Sequence, residues 1–164
     1  MYQPPFNIST EAINLIAEIA ALIERYAIRL EQEDGLRLRK TNRIKTIHSS
    51  LAIEGNKLSE SQVSDIIEGK HVVAPIREIQ EVKNAIDAYN LMLQLDPYNQ
   101  KDLLKAHKAM MANLIGQAGY FRGGNVGVFD ATHCIHLAPP ATRVNELMND
   151  LFEWMKQTDV HPLV

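Results

Sequence analysis

Glycine is unevenly distributed along this chain, and that distribution limits how much of the chain can be helical. Five of its eight glycines fall between residues 116 and 138. No helix tolerates that density, because each interior glycine destabilises a helix by about 1 kcal/mol relative to alanine. The same stretch is rich in strand-forming residues, and residues 129–132 (FDAT) suit a tight turn. The sequence therefore predicts a β-hairpin over residues 125–137.

Outside the hairpin, apolar residues recur at helical spacing. The longest stripe predicts a helix over residues 9–33, with Ser9 as its N-cap. A short helix is predicted between Ser59, with Gln62 as its capping-box partner, and Gly69. A further helix is predicted from Leu36 or Leu38 to about Glu54, where Gly55-Asn56 ends it because both residues tolerate a positive φ. Helices are also predicted over residues 76–95, 100–114 and 142–156. This pattern indicates a mainly α protein with one hairpin inserted late.

The composition indicates a folded protein without a membrane span. The chain has 164 residues, 46% of them hydrophobic, and a net charge of −3, which suit one domain or two small ones rather than a disordered chain. Its longest apolar-rich stretch, residues 12–30, contains four charges. The first six residues do not resemble a secretory signal, and the one cysteine, Cys134, suits a reducing compartment. We therefore expect a cytoplasmic protein.

Five positive charges crowd into residues 37–45 and allow two interpretations. They could form a phosphate-binding stripe on one helix. They could instead be a solvated helix face, paired with the acidic residues Glu31, Glu33 and Asp34. The second interpretation is favoured because the chain as a whole is acidic. Nucleic acid is therefore not an expected partner.

Two histidines in the hairpin raise the question of a metal site. His133 and His136 are an odd number of residues apart, so on a regular strand they point to opposite faces. They cannot meet on one ion without a bulge. Structural zinc takes four cysteine or histidine ligands, and the sequence offers no second pair. No metal site is predicted.

The segment from Ser50 to Asn56 is the most unusual local pattern. Ser50 and Glu54 are four residues apart and therefore share one helix face. Glu54 stands at the predicted C-terminal end of its helix, where the helix dipole disfavours a negative charge. A locally unfavourable carboxylate is sometimes kept for a partner cation. The alternative is a surface glutamate with a trivial penalty, and the pattern alone does not decide between them.

That segment resembles the inhibitory motif of Fic-family AMP transferases, which reads Ser or Thr, three residues, Glu, then Gly or Asn. Ser50, Glu54 and Gly55 match the motif. Downstream, residues 119–122 (GYFR), the hairpin, a Pro-Pro pair and an apolar helix follow in the order of a Fic core. The resemblance covers about residues 41–164 and implies a Fic-type helical bundle whose hairpin is the target-positioning flap.

The resemblance implies a function as well as a fold. Fic proteins use ATP and Mg²⁺ to transfer AMP to a hydroxyl group of a target protein. Glu54 would be the inhibitory carboxylate, pairing with an arginine that otherwise grips the γ-phosphate. The flap would bind a target segment by strand addition. Its expected contact residues are Val126, Gly127, Val128, Phe129 and Asp130.

The sequence departs from the family where catalysis would take place. The family signature combines a His-Pro-Phe start, an acidic residue, Gly-Asn-Gly-Arg and a second arginine. Here His161-Pro162 is followed only by Leu163-Val164. We therefore expect no catalytic or metal-binding residues in this chain, no tight binding of ATP or Mg²⁺, and no activity of the chain by itself.

Two functional hypotheses remain at this point. In the first, residues 1–99 form a helical region that carries the inhibitory motif. Residues 100–164 then begin a Fic core that stops before the catalytic helix and loop, so the helices from residue 100 onward should expose apolar surface. A target protein would bind through the flap, and a homo-oligomer is a further candidate assembly. The alternative is a non-catalytic helical module that binds protein or nucleic acid; a free-standing antitoxin fits less well, because it would not need a flap.

Overall fold

A computed structural model describes residues 4–32, 35–131, 133–161 and 163 of the chain. Within those ranges the helices are α1 (Thr10–Gln32), α2 (Gly35–Ile53), α3 (Glu60–Ile67), α4 (Ile76–Leu91), α5 (Gln100–Met111) and α6 (Val144–Gln157). An antiparallel hairpin of β1 (Gly127–Asp130) and β2 (His133–Leu137) lies between α5 and α6. The mainly α fold with one late hairpin is confirmed.

Local capping explains where several helices begin. The Ser9 hydroxyl accepts a hydrogen bond from the Ala12 N–H at 3.1 Å, as expected of an N-cap. Ser59 and Gln62 form the predicted capping box at the start of α3. The helix predicted over residues 76–95 is α-helical only to Leu91 and continues as a 3₁₀ turn over Met92–Gln94.

The buried core lies where α2, α3 and α4 meet. One side chain from each helix is almost fully enclosed there: Ile47, Val63 and Val82. Other buried apolar residues surround these three, including Ile44, Leu51, Leu58, Ile66 and Ala85. The apolar stripes of α2 and α4 predicted from the sequence therefore face each other in this core.

A buried amide connects this core to α5. Asn84 of α4 is only 2% exposed, and its Nδ2 donates to the carbonyl oxygens of Met110 at 2.9 Å and Ala112 at 2.7 Å. These carbonyls belong to the end of α5, where no following turn of helix can satisfy them. Asn84 thus completes the hydrogen bonds of the α5 terminus and holds α5 against α4.

The helices after residue 100 expose apolar surface, as expected. An open groove of about 530 Å³ runs between the end of α4, α5 and α6. Its walls include Met92, Leu95, Leu103, Met148, Leu151 and Met155. The amphipathic helix α1 is exposed along most of its length as well, with Ile13 at 57% and Ile23 at 61%. No helix in the described ranges is long and apolar enough to cross a membrane.

Candidate functional site

The motif identified in the sequence forms the C-terminal turn of α2. The Gly55 N–H donates to the Ala52 carbonyl at 3.0 Å, and the Asn56 N–H donates to the Leu51 carbonyl at 3.0 Å. Gly55 has a φ of +92°, the left-handed conformation that glycine adopts at low cost. These bonds define a Schellman turn, in which Glu54 is the last residue before the reversal.

Glu54 stands in solvent at this turn. Its side chain is exposed, and no side chain that the structure describes makes an ion pair with its carboxylate. Ser50 is also exposed, one helical turn earlier, while Leu51 beside it is buried in the core. Ser50 and Glu54 therefore lie on the solvent side of α2, and Glu54 adds negative charge to a helix end that is already electronegative.

The same turn occurs a second time, at the end of α3. Ile53-Glu54-Gly55 and Ile67-Glu68-Gly69 have the same sequence. At the second turn the Gly69 N–H donates to the Ile66 carbonyl at 3.0 Å, and Gly69 has a φ of +74°. The two turns are built alike and place a glutamate at the same position.

The two glutamates differ in their surroundings. Lys40 and Lys70 each place an ammonium 2.8 Å from a carboxylate oxygen of Glu68. Hydrogen bonds from Lys40 and then Lys70, with their positive charges, lower the pKa of Glu68 to about 2. One turn thus compensates its glutamate with two lysines, whereas Glu54 has no such partner among the described side chains.

Asn56, directly after the motif, fixes the α2 turn against α4. Its side chain is 8% exposed. The Nδ2 group donates to the Glu78 carbonyl at 3.1 Å and to Glu81 Oε2 at 2.9 Å, while Oδ1 accepts from the Leu58 N–H at 3.0 Å. In the sequence, Asn56 is recognisable only as part of a helix stop. The bond to Leu58 two residues on is a local asparagine turn and could have been expected, whereas the bonds to α4 could not.

The predicted flap is a hairpin that stands clear of the helices. Val128 is 57% exposed and Phe129 60%, and every residue of β2 is exposed. Val126 precedes β1, and its carbonyl accepts from the Ala138 N–H at 3.1 Å, which extends the pairing by one bond. Gly127 allows close packing, because a Cβ there would lie 3.1 Å from the Phe129 ring. Asp130, the last residue of β1, is exposed.

The hairpin contains a register shift that the sequence did not reveal. Val128 pairs with His136 and Phe129 pairs with Cys134, so Ile135 has no partner on β1. The assumption that His133 and His136 lie on a regular strand was therefore wrong. Within the described residues, no group of three or more His, Cys, Asp or Glu side chains could hold a metal ion.

Arg122 ties together the two ends of the hairpin. Its guanidinium donates to the Gly124 carbonyl at 2.8 Å and to the Pro139 carbonyl on the other side. Nearby, Asn125 Oδ1 accepts from the Ala141 N–H at 3.0 Å. The planar fork of arginine suits such a bridge, because its donors diverge in fixed directions. The base of the flap is thus held by side chains.

The loop before the flap is attached to α5 through His107. The Gly119 N–H donates to His107 Nδ1 at 2.9 Å, so this nitrogen is the acceptor of the ring. Gly119 has a φ of +86°, and a Cβ there would lie 2.8 Å from the Lys108 Cβ. This position requires glycine both for its conformation and for its contact with α5.

The structure places two of the five cations of the basic segment against other helices. Lys40 pairs with Glu68, and Arg43 Nη2 donates to the Ile86 carbonyl at 3.1 Å and to Asn90 Oδ1 at 2.8 Å. These two cations therefore serve contacts between helices. The predicted pairing with residues 31–34 lies outside the side chains that the structure describes.

The similarity of this chain to known proteins comes from solved structures. No family model matches the chain, and no curated protein does. The crystal structure of a Fic family protein from Desulfovibrio desulfuricans G20 superposes on 99% of the chain with a TM-score of 0.90 and 47% identity. Fic-1 of C. elegans (residues 134–508) superposes on 91% with a TM-score of 0.58 and 22% identity, which supports the fold alone. The chain spans about half the length of these structures, 50% and 49% respectively.

Proposed function

This chain is related to Fic family proteins over nearly its whole length, and from that relationship we propose that it is the inhibitory and target-binding part of a protein AMP transferase. The transfer of AMP from ATP to a target hydroxyl would belong to the whole protein. Among the described residues of this chain there is no cluster fit to hold Mg²⁺, so no residue here is assigned to the metal. The chain's own contribution would be control and positioning.

The observation that carries this proposal is the isolated carboxylate of Glu54. The protein builds the same turn twice, and among the side chains that the structure describes it supplies cations to Glu68 but not to Glu54. A guanidinium brought to Glu54 from a segment outside this chain would offset both the carboxylate charge and the electronegative end of α2. An arginine that otherwise binds the γ-phosphate of ATP would be withdrawn by this pairing, and transfer would slow.

The flap would supply the target site. Both faces of the hairpin are exposed, and only β1 and β2 pair in its sheet. An extended target segment can therefore add to an edge through backbone hydrogen bonds. Because Arg122 and Asn125 hold the base of the hairpin, a bound segment would keep a defined direction relative to α5 and α6.

The experiment replaces Glu54 with glycine in the protein as its gene encodes it and measures incorporation of labelled AMP into the protein itself. Loss of a charge-assisted pair of about 1.5–3 kcal/mol should raise the rate roughly 10- to 100-fold. Glu68→Gly is the matched control, since it removes the same residue from the same kind of turn, and it should leave the rate near that of the parent. A Glu54→Gly rate equal to the parent's would remove Glu54 from the mechanism.

A further inference from the structure

We propose that Asn56 is the positioning residue for Glu54: by bonding to α4, it holds the α2 turn so that the carboxylate is fixed and uncompensated. This inference rests on the proposed inhibitory role of Glu54. Asn56 lies outside the matched motif residues Ser50, Glu54 and Gly55. Its contacts, rather than any family pattern, are what point to this role.

The contacts of Asn56 fix the turn from both sides. Its backbone N–H bonds to Leu51, which is anchored in the core, and both Nδ2 hydrogens are used by acceptors on α4, the Glu78 carbonyl and Glu81 Oε2. Its Oδ1 accepts from Leu58, which is itself 4% exposed. Glu54 therefore stands between two anchored residues, and its backbone has little freedom to turn away.

The second turn shows the effect of a different residue at the position equivalent to Asn56. The equivalent residue after Gly69 is Lys70, which is exposed and places its ammonium 2.8 Å from its own glutamate, Glu68. Asn56 instead directs its side chain into the protein and leaves Glu54 to solvent. A carboxylate held in this way can bind a cation from another segment without first ordering its own turn. Binding is then tighter, because the turn loses little conformational entropy when the cation binds.

The test replaces Asn56 with aspartate in the protein as its gene encodes it. The new side chain has the same shape and still accepts from Leu58, but it cannot donate and places a second carboxylate beside Glu81. AMP incorporation should rise about tenfold. The double variant with Glu54→Gly should be no faster than Glu54→Gly alone, because both changes act through one carboxylate.

Asn84→Asp is the matched control. Asn84 is also buried, 2% exposed against 8% for Asn56, and its Nδ2 also donates to two acceptors, yet these lie at the end of α5 rather than beside the α2 turn. A similar loss of stability is expected, with the rate unchanged. A rise in rate for Asn84→Asp equal to that for Asn56→Asp would show general loosening and overturn the inference.

Two substitutions at Glu81 test the same contact without changing Asn56. Glu81→Gln keeps one acceptor oxygen within reach of Asn56, and Glu81→Ala keeps none; both remove the charge that pairs with Arg77. The alanine variant should be about three times faster than the glutamine variant. Equal rates would overturn the inference if Glu54→Gly raises AMP incorporation above that of the parent. If Glu54→Gly does not raise it, the proposed function fails, and this inference fails with it.

Discussion

Glu54 and Glu68 occupy the same position in two equivalent helix-ending turns, but of the two, within the described part of the chain, Glu68 alone has lysine ammonium groups 2.8 Å from its carboxylate. Removing the charge of Glu54 and removing the charge of Glu68 should therefore change the melting temperature in opposite directions. In the 164-residue chain by itself, Glu54→Gln should raise the melting temperature by about 1–3 °C, because it removes an uncompensated charge at a helix C-terminus. Glu68→Gln should lower it. Thermal unfolding at low salt measures both, and shifts of the same sign would contradict the expectation.

The pH dependence of stability should contain a contribution from Glu68. Its pKa is lowered from 4.5 to about 2 in the folded protein, so between these values the unfolded state binds more protons. The stabilisation is complete above about pH 4.5 and is lost as the pH falls toward 2. Urea midpoints of the parent and Glu68→Gln should converge over this window. Because the pair is exposed, salt should reduce the difference, and curves that stay parallel would count against this assignment.

Gly119 should be the least replaceable of the glycines near the flap. Gly119→Ala combines a positive φ with a contact of 2.8 Å to the Lys108 Cβ, so it should lower the free energy of unfolding by about 1–3 kcal/mol. Gly123→Ala is the control, since nothing lies within 4 Å of the added methyl group. Chemical denaturation measures both. Equal effects of the two substitutions would show that the loop adjusts around Gly119.

Arg122 should control the mobility of the flap. In Arg122→Lys a single ammonium replaces the fork, so the bridge between the Gly124 and Pro139 carbonyls is lost. Amide hydrogen exchange in β2 should accelerate about tenfold, because opening of the hairpin base costs less free energy.

The control for this change is Arg143→Lys. Arg143 is another arginine near the hairpin, but it contacts Glu146 on α6, at 3.5 Å. Exchange in β2 should not change in this variant. If Arg122→Lys also leaves exchange unchanged, the backbone hydrogen bonds between β1 and β2, rather than Arg122, hold the hairpin closed.

Contacts between residues that are close together in the chain could be predicted from the sequence, whereas contacts between distant residues could not. Gly55, Gly69 and the capping box of Ser59 were predicted because each acts on neighbours within a few residues. The pairing of Lys40 with Glu68 spans 28 residues, and the bond from Asn56 to Glu81 spans 25. Such contacts depend on how helices pack, which periodicity alone does not specify.

The hairpin shows the same limit on a smaller scale. Its existence followed from the glycine cluster, whereas its register shift at Ile135 reverses the side on which later residues lie. No composition signal marks that shift. The resemblance to Fic proteins, confirmed by the structural neighbours, identified the α2 turn as a candidate site, but it did not reveal the hydrogen bonds that Asn56 and Arg122 make.

The short length of β1 has a consequence for recognition. A segment that adds beside it meets only four residues, so it gains few backbone hydrogen bonds. Such bonds form with the main chain and do not distinguish one side chain from another. A flap that binds in this way would bind target segments of many different sequences weakly and release them quickly. Discrimination among targets would then have to arise from surfaces outside the hairpin.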